Sequence, residues 1–324
     1  MAKTLEHITE NISDELISFD KYFRTSMQSK VPLLDKVTQY IIKRKGKQIR
    51  PVLVLLCAKV CGGIMPATYR GAALVELLHT ATLVHDDVVD DADERRGFFS
   101  INALWKNKVA VLVGDFLLSR GLLMSLEHDD FHLLKIVSEA VRLMSEGELL
   151  QMEKARKLNI DEAVYFDIIR QKTASLIAAC CQCGAASATN DLELQEKMRV
   201  FGEKLGIAFQ IKDDLFDYGK DDVGKPLAID IKEKKMTLPL IHVLNKSSWF
   251  ERRRIINLIR NHNTNPQKVQ QVIDYVIQHG GLEYATREMN RYIQEAEALL
   301  MELPENEARK ALHEVMNYVM TRNK

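Results

Sequence analysis

Apolar residues recur at three- and four-residue intervals along almost the whole chain, the period of amphipathic helices rather than of strands. The pattern predicts helices over 5–28, 31–44, 67–93, 101–127, 131–156, 160–187, 191–217, 236–245, 250–262, 266–279, 281–302 and 305–322. Glycine, proline and small polar residues break it at Gly62-Gly63, Gly97, Glu127–Asp130, Gly219–Pro226, Asn261–Pro266, Gly280-Gly281 and Pro304. Val52-Leu53-Val54-Leu55-Leu56 alone could pass for a buried strand. Pro51 in front of it and a helical continuation to Val60 favour a helix that starts at Pro51. No stretch has the composition of a linker, and no repeat of solenoid length is visible. The expected fold class is all-α.

Composition narrows the function classes. With 46% hydrophobic residues in 324, the chain can bury a large core. Lys plus Arg (45) equals Asp plus Glu (45), so no global charge draws the chain to nucleic acid or an anionic membrane. Anion binding must come from local clustering. The five cysteines form no disulfide framework. Cys180-Cys181-x-Cys183 has no nearby His or second Cys pair to complete a metal site, so buried thiols in a reducing compartment are expected. The N-terminus has no apolar leader core, and Val52–Val60 and Val109–Leu118 are short for a membrane span. A cytoplasmic protein without stable membrane insertion is expected.

One motif occurs twice: D-D-x-x-D at Asp86-Asp87-Asp90 and at Asp213-Asp214-Asp217. Successive helical residues advance by about 100°, so i, i+4 and i+7 share a face. His79, Thr82, Asp86, Asp90 and Asp93 then form one polar stripe, with Leu77, Val84 and Val88 on the other side. Gly206, Phe209, Asp213 and Asp217 align in the same way. A single such motif can be a solvated acidic face. Like charges one turn apart, however, destabilise a helix by about 0.2–0.5 kcal/mol per pair, so stacking them calls for a cation. Both copies lie in apolar surroundings (Leu83-Val84-His85 and Ile207-Ala208-Phe209), which predicts that they face inward. Oxygen-only ligands suit a hard cation. Magnesium, typically held by one or two carboxylates plus substrate phosphates, is expected on Asp86, Asp87, Asp90, Asp213, Asp214 and Asp217. Zinc would want His or Cys, which neither cluster offers beyond His85.

Basic residues stand beside both clusters. Lys43, Arg44, Lys45, Lys47 and Arg50 precede the helix expected at Pro51, where free N–H groups and the helix dipole favour an anion. Arg95-Arg96-Gly97 closes the first aspartate helix, Lys172-Thr173 interrupts an apolar segment, and Gly224-Lys225-Pro226 with Lys232, Lys234 and Lys235 follows the second cluster. Two carboxylate–metal sites ringed by cations describe a pocket for two diphosphates.

These motifs, taken together, resemble the trans-isoprenyl diphosphate synthases over nearly the whole chain. The resemblance runs through Gly46-Lys47-Gln48-Ile49-Arg50-Pro51, His79, Asp86 to Gly97, Gly114-Asp115, Gly147-Glu148 and Lys172-Thr173-Ala174. It continues through Phe209 to Asp217 and Gly224-Lys225-Pro226. It implies a single domain over 1–324, with helices surrounding a deep central cavity, and a homodimer. It also implies condensation of isopentenyl diphosphate with an allylic diphosphate, such as farnesyl or geranylgeranyl diphosphate, by ionisation, condensation and elimination. The six aspartates would hold Mg²⁺ on the allylic diphosphate, with Arg95, Lys172, Lys225 and Lys235 as direct cationic contacts. Lys47, Arg50, His79 and Arg96 would form the isopentenyl diphosphate site, and Thr173 and Gln210 would border the reacting carbons. Ionisation is helped by metal and cations that stabilise charge on the leaving diphosphate.

The sequence departs from the family pattern where glycines are common. It reads Pro226-Leu227-Ala228 after the lysine-proline pair and Lys234 before Lys235. Thr82 and Ala81, the fourth and fifth residues before Asp86, are small, whereas aromatic residues there accompany short products in the family. A long product, hexaprenyl to octaprenyl, is therefore expected, with Leu77, Leu78 and residues such as Leu143 or Met144 as a deeper floor. The alternatives are a geranylgeranyl-type product or a catalytic subunit that needs a partner. Three rivals fit less well. A cyclase or head-to-head synthase generally lacks the Lys47–Arg50 and His79 site. A His-Asp phosphohydrolase leaves the second cluster unexplained, and a regulatory subunit typically loses the aspartates.

Overall fold

The computed structural model describes residues 8–44, 46, 48–95, 97–158, 160–219 and 229–321. Helices dominate, as the periodicity predicts. They are α1 (Ser13–Ser26), α2 (Pro32–Lys43), α3 (Ile49–Cys61), α4 (Pro66–Val89), α5 (Ile101–Leu126), α6 (Phe131–Lys157) and α7 (Glu162–Ile169). After a π-helical turn at Arg170–Ala174 come α8 (Ser175–Ala188), α9 (Leu192–Phe216), α10 (Ile229–Lys232), α11 (Leu238–Lys246), α12 (Trp249–Asn261), α13 (Pro266–Gln278), α14 (Gly281–Met301) and α15 (Glu307–Thr321). The sole sheet among the described residues is a hairpin, β1 (Glu94–Arg95) against β2 (Phe98–Phe99).

Several boundaries differ from the expected ones for local reasons. Helix α3 starts at Ile49, not Pro51, because Gln48 takes a left-handed conformation (φ 50°) that turns the chain into the helix. Helix α4 ends at Val89, so Asp90 caps it and Asp93 lies beyond the stripe it was expected to extend. The expected helix over 160–187 is three pieces, because the backbone widens into the π turn at Arg170–Ala174.

The core is one contiguous apolar cluster centred on α8. Residue contacts fix its polarity relative to its neighbours. The Thr68 and Ser187 hydroxyls lie 2.7 Å apart, and Gly71 faces Cys183, so α4 runs antiparallel to α8. Ser175 reaches the Ala140 carbonyl and Cys183 the Leu133 carbonyl, so α6 does too. Gly202 faces Ile177 and Gly206 faces Ala174, which makes α9 a third antiparallel neighbour. Gly184 lies against Val54, and Gly62 against Ala188, so α3 is parallel. The C-terminal ends of α4, α6 and α9 therefore meet at the N-terminal end of α8, where the π turn sits. Cys57, Cys180, Cys181 and Cys183 are buried free thiols, as expected, and Cys61 is half-buried. Burial pushes the Cys61 thiol up to about 12.

Helix α5 is longer and more apolar than the Val109–Leu118 run suggests. By length and composition it could cross a membrane, with a mean hydropathy of 1.8 over its most apolar window. One side packs on α4, where Gly121 lets Leu74 and Leu78 approach. The other leaves Leu104, Val111, Leu112, Leu122, Leu123 and Leu126 exposed.

Candidate active site

Because α4 and α9 share α8 as an antiparallel neighbour, both aspartate motifs arrive at the same end of one helix. Each sits at a helix C-terminus, the negative end of the dipole, where carboxylates are disfavoured unless a cation joins them. Asp86 and Asp90 are exposed, and Asp213 and Asp217 are partly exposed. The expectation that the whole cluster faces inward is thus corrected. Only the middle aspartate of each motif is buried, Asp87 at 4% exposure and Asp214 at 5%.

Asp214 has a different setting from its neighbours. Its Oδ2 accepts from the Tyr165 hydroxyl (2.7 Å) and its Oδ1 from Gln210 Nε2 (3.0 Å), and Gln210 Oε1 in turn accepts from Thr173 Oγ1 (2.8 Å). Burial and the neighbouring Asp230 carboxylate push its pKa up to about 7 against these hydrogen bonds. The chain Thr173–Gln210–Asp214–Tyr165 ties the π turn to α7 and α9. Asp217 Oδ1 and Oδ2 accept from the Ile229 and Asp230 amides (2.9 and 3.1 Å), so this aspartate also caps α10.

The π turn is what presents Lys172 and Thr173, and two glycines make room for it. A Cβ on Gly147 would stand 2.8 Å from the Lys172 nitrogen, and one on Gly206 would stand 2.6 Å from the Ala174 Cα. Such π turns inside α-helices are frequent at functional sites. Lys172 Nζ pairs with Glu148 (2.5 Å) and donates to Gln151 Oε1 (3.2 Å). A cavity lined by Gln151, Tyr165, Lys172, Thr173, Gln210, Asp214, Asp230 and Lys235 opens beside this turn.

Lys235 belongs to that cavity despite the missing glycines. Lys234 takes the left-handed conformation (φ 59°) in which a glycine is unstrained, and the turn closes through Lys235 N to Asp230 O (2.8 Å). Lys235 Nζ then lies 2.5 Å from Glu233 and 3.7 Å from Asp230. Replacing Lys234 with glycine relieves the strain, so Lys234→Gly should raise unfolding stability by about 0.5–1 kcal/mol in a denaturant titration.

The second basic group is only partly described. Lys47, Arg96 and Lys225 lie outside the described residues, and of Arg95 the backbone alone is described. Arg50 stands in the first turn of α3, and its Nε is buried with no hydrogen-bond partner among the described residues. A buried guanidinium donor at a helix N-terminus is suited to an anion. Arg50 and Glu76 both act electrostatically on Cys180, which stands about 9 Å, six residues of α8, from the π turn. His79 is buried one turn along α4 from Glu76. Of the residues expected to set chain length, Leu77, Leu78 and Ala81 are buried (0%, 2% and 0% exposed), and the half-buried Thr82 donates to the His79 carbonyl (2.8 Å). Leu77 and Leu78 pack over Gly121 of α5.

Some contributors are not evident in the sequence motifs. Arg44, expected among the anion-binding residues, lies instead against two rings, 4.0 Å from the Tyr40 centroid and 4.3 Å from that of Phe98. The Tyr40 hydroxyl donates to the Phe99 carbonyl (2.6 Å). Phe98 is the strand partner of Arg95, so this clamp fixes the hairpin that carries Arg95. Tyr165 and Gln151 escape notice because neither belongs to a charged cluster.

The family model for polyprenyl synthetases matches residues 31–276. The chain belongs to this family. It is 37% identical over 314 residues to the all-trans-nonaprenyl-diphosphate synthase (geranyl-diphosphate specific) of Rhodobacter capsulatus, covering 95% of this chain and 94% of that one. A polyprenyl synthase from Caulobacter crescentus, crystallised with calcium and isoprenyl diphosphate, superposes with a TM-score of 0.89 at 32% identity, over 100% of this chain and 99% of that one. A geranylgeranyl pyrophosphate synthase from Bacteroides thetaiotaomicron gives a TM-score of 0.83 at 38% identity, over 98% of this chain and 99% of that one. The fold is the all-helical isoprenoid synthase fold, and the enzyme is a trans-polyprenyl diphosphate synthase, a prenyltransferase of a family that uses divalent metal.

Proposed function

We propose that this enzyme extends an allylic diphosphate with isopentenyl diphosphate to a long all-trans product, hexaprenyl to octaprenyl, using Mg²⁺. The observation that carries the reading is the convergence of both aspartate motifs on the π turn that presents Lys172 and Thr173. Asp86, Asp90, Asp213 and Asp217, solvent-accessible carboxylates at two negative helix ends, fit Mg²⁺ shared with a diphosphate. Bound Mg²⁺ supplies charge neutralisation on the departing diphosphate. Asp214, held by Tyr165 and Gln210, fixes the end of α9.

Lys172, Lys235 and Arg95 hold the same diphosphate, and Lys225 joins them. Arg50 and His79, with Lys47 and Arg96, hold isopentenyl diphosphate a short distance along α8. The allylic C–O bond breaks, a C–C bond forms to the isopentenyl double bond, and one proton is lost to regenerate an allylic product. Thr173 and Gln210, fixed to each other, border the reacting carbons. The surrounding apolar helices exclude water that would quench the cation.

The exposed apolar side of α5 is read as a homodimer surface, since exposed apolar patches of this kind mark association sites. The chain is read as one domain over 1–324, at work in the cytoplasm.

Long products are favoured by Ala81 and Thr82 and by the likeness to a nonaprenyl-diphosphate synthase. The likeness to a geranylgeranyl synthase favours the shorter alternative. Incubation with labelled isopentenyl diphosphate, farnesyl diphosphate and Mg²⁺ should give a ladder ending in a long prenyl diphosphate, and EDTA should abolish it. No elongation from any allylic primer would refute the reading. Ala81→Phe should end the ladder near farnesyl or geranylgeranyl length on thin-layer chromatography, at a stability cost of about 1–3 kcal/mol from overpacking. An unchanged ladder would remove Ala81 from the chain-length wall.

A further inference from the structure

The chain is neutral overall, but its charge is unevenly distributed. Between Asn245 and Asn261 stand Lys246, Arg252, Arg253, Arg254 and Arg260 against a single acid, Glu251. That acid is already engaged, its Oε2 accepting from the Ser248 hydroxyl (2.8 Å) and amide (3.2 Å) in the capping box that starts α12. Lys246, Arg253, Arg254 and Arg260 are exposed, so the segment presents its positive charge outward.

At the same point two aromatic rings stand largely exposed. Trp249 and Phe250 open α12 side by side, 62% and 78% exposed, their rings edge to face with centroids 5.0 Å apart. The Arg253 guanidinium lies 5.1 Å from the Trp249 ring centroid. Below them Ile255, Leu258 and Ile259 turn inward, so α12 is held on its apolar side by α11 and α13 and shows solvent its aromatic and cationic side. No catalytic role uses these residues, and α12 is not among the elements that form the α5 face.

Aromatic rings at a helix start, flanked by arginines on the same exposed side, are the chemistry of a bilayer interface. The rings enter the headgroup boundary, and the cations meet lipid phosphates. We propose that the Trp249–Phe250 end of α12, with Lys246, Arg253 and Arg254, docks the enzyme peripherally on an anionic phospholipid surface. Charge complementarity selects that partner, since a purely apolar partner would leave the arginines unmatched. Peripheral docking also suits the chemistry of the product, an apolar chain on a diphosphate that is at home only in a bilayer. Helix α11 begins beside the cavity at Thr237 and ends here, about 13 Å away.

Flotation of the full-length protein with phosphatidylglycerol vesicles and with phosphatidylcholine vesicles tests the proposal. Binding to phosphatidylglycerol should exceed binding to phosphatidylcholine and should weaken as salt is raised. Loss of one arginine in R253Q or R254Q should lower the affinity about fivefold each. The W249S/F250S variant should lose binding while keeping the thermal midpoint and the turnover with short, water-soluble primers. No flotation of the wild-type protein with either lipid would overturn the proposal, as would flotation that the variants leave unchanged. Dissociation of W249S/F250S into a smaller species by light scattering, with vesicle binding retained, would also overturn it and assign the patch to a protein contact.

Discussion

Asp213→Asn should lower kcat/KM about 10³-fold, and added Mg²⁺ should not restore it. The substitution keeps the size of the side chain and removes its charge, at the C-terminal end of α9 where a metal on the leaving diphosphate would be held. Removing a single preorganised stabiliser of transition-state charge costs about 10²–10³. A metal ligand adds to this the charge stabilisation, worth several kcal/mol, of the metal it holds. The loss should appear in turnover with saturating substrates, because the charge grows as the C–O bond breaks. Asp213 is partly exposed, so thermal unfolding of the metal-free protein should scarcely change. A variant that kept turnover within a few-fold of wild type would detach the second cluster from the chemistry.

Gly206→Ala should damage both stability and turnover although it touches no charged group. The added methyl would sit 2.6 Å from the Ala174 Cα and 2.8 Å from its Cβ, so backbone must move and a side-chain rotation cannot relieve it. Overpacking of this kind costs about 1–3 kcal/mol. Because Ala174 ends the π turn, the displacement passes to Lys172 and Thr173, and a misplacement of about 1 Å at a reacting centre costs about 10²-fold in rate. Thermal denaturation and steady-state kinetics on the same preparation separate the two effects. A folded variant with normal kcat would show that the π turn tolerates movement.

The helices were legible in the sequence because the apolar period is strong and continuous, and most observed ends fall within two or three residues of the expected ones. The π turn was not, because Arg170 to Ala174 has ordinary helical composition. What accommodates the wider turn is tertiary: Gly147 on α6 and Gly206 on α9 leave room for it on two sides. The aspartates were legible as a repeated motif, but not the division of labour within it. Which carboxylate of each motif is buried depends on the neighbouring helices, and Tyr165, the partner of Asp214, stands 49 residues away in sequence. Arg44 misled for a related reason. In sequence it is one of five positive charges between Lys43 and Arg50, while in the structure Tyr40, one helical turn before it, and Phe98 take its guanidinium.

That both motifs act on one diphosphate can be tested most directly by calorimetric binding of a thiolo analogue of an allylic diphosphate, which cannot ionise. Wild-type enzyme should bind it tightly with Mg²⁺ and weakly with EDTA. Asp86→Asn and Asp213→Asn should each remove most of the Mg²⁺-dependent gain, and the double variant should lose little more than either alone. Metal-independent binding, or a gain that survives the loss of either cluster, would contradict a site shared between the ends of α4 and α9.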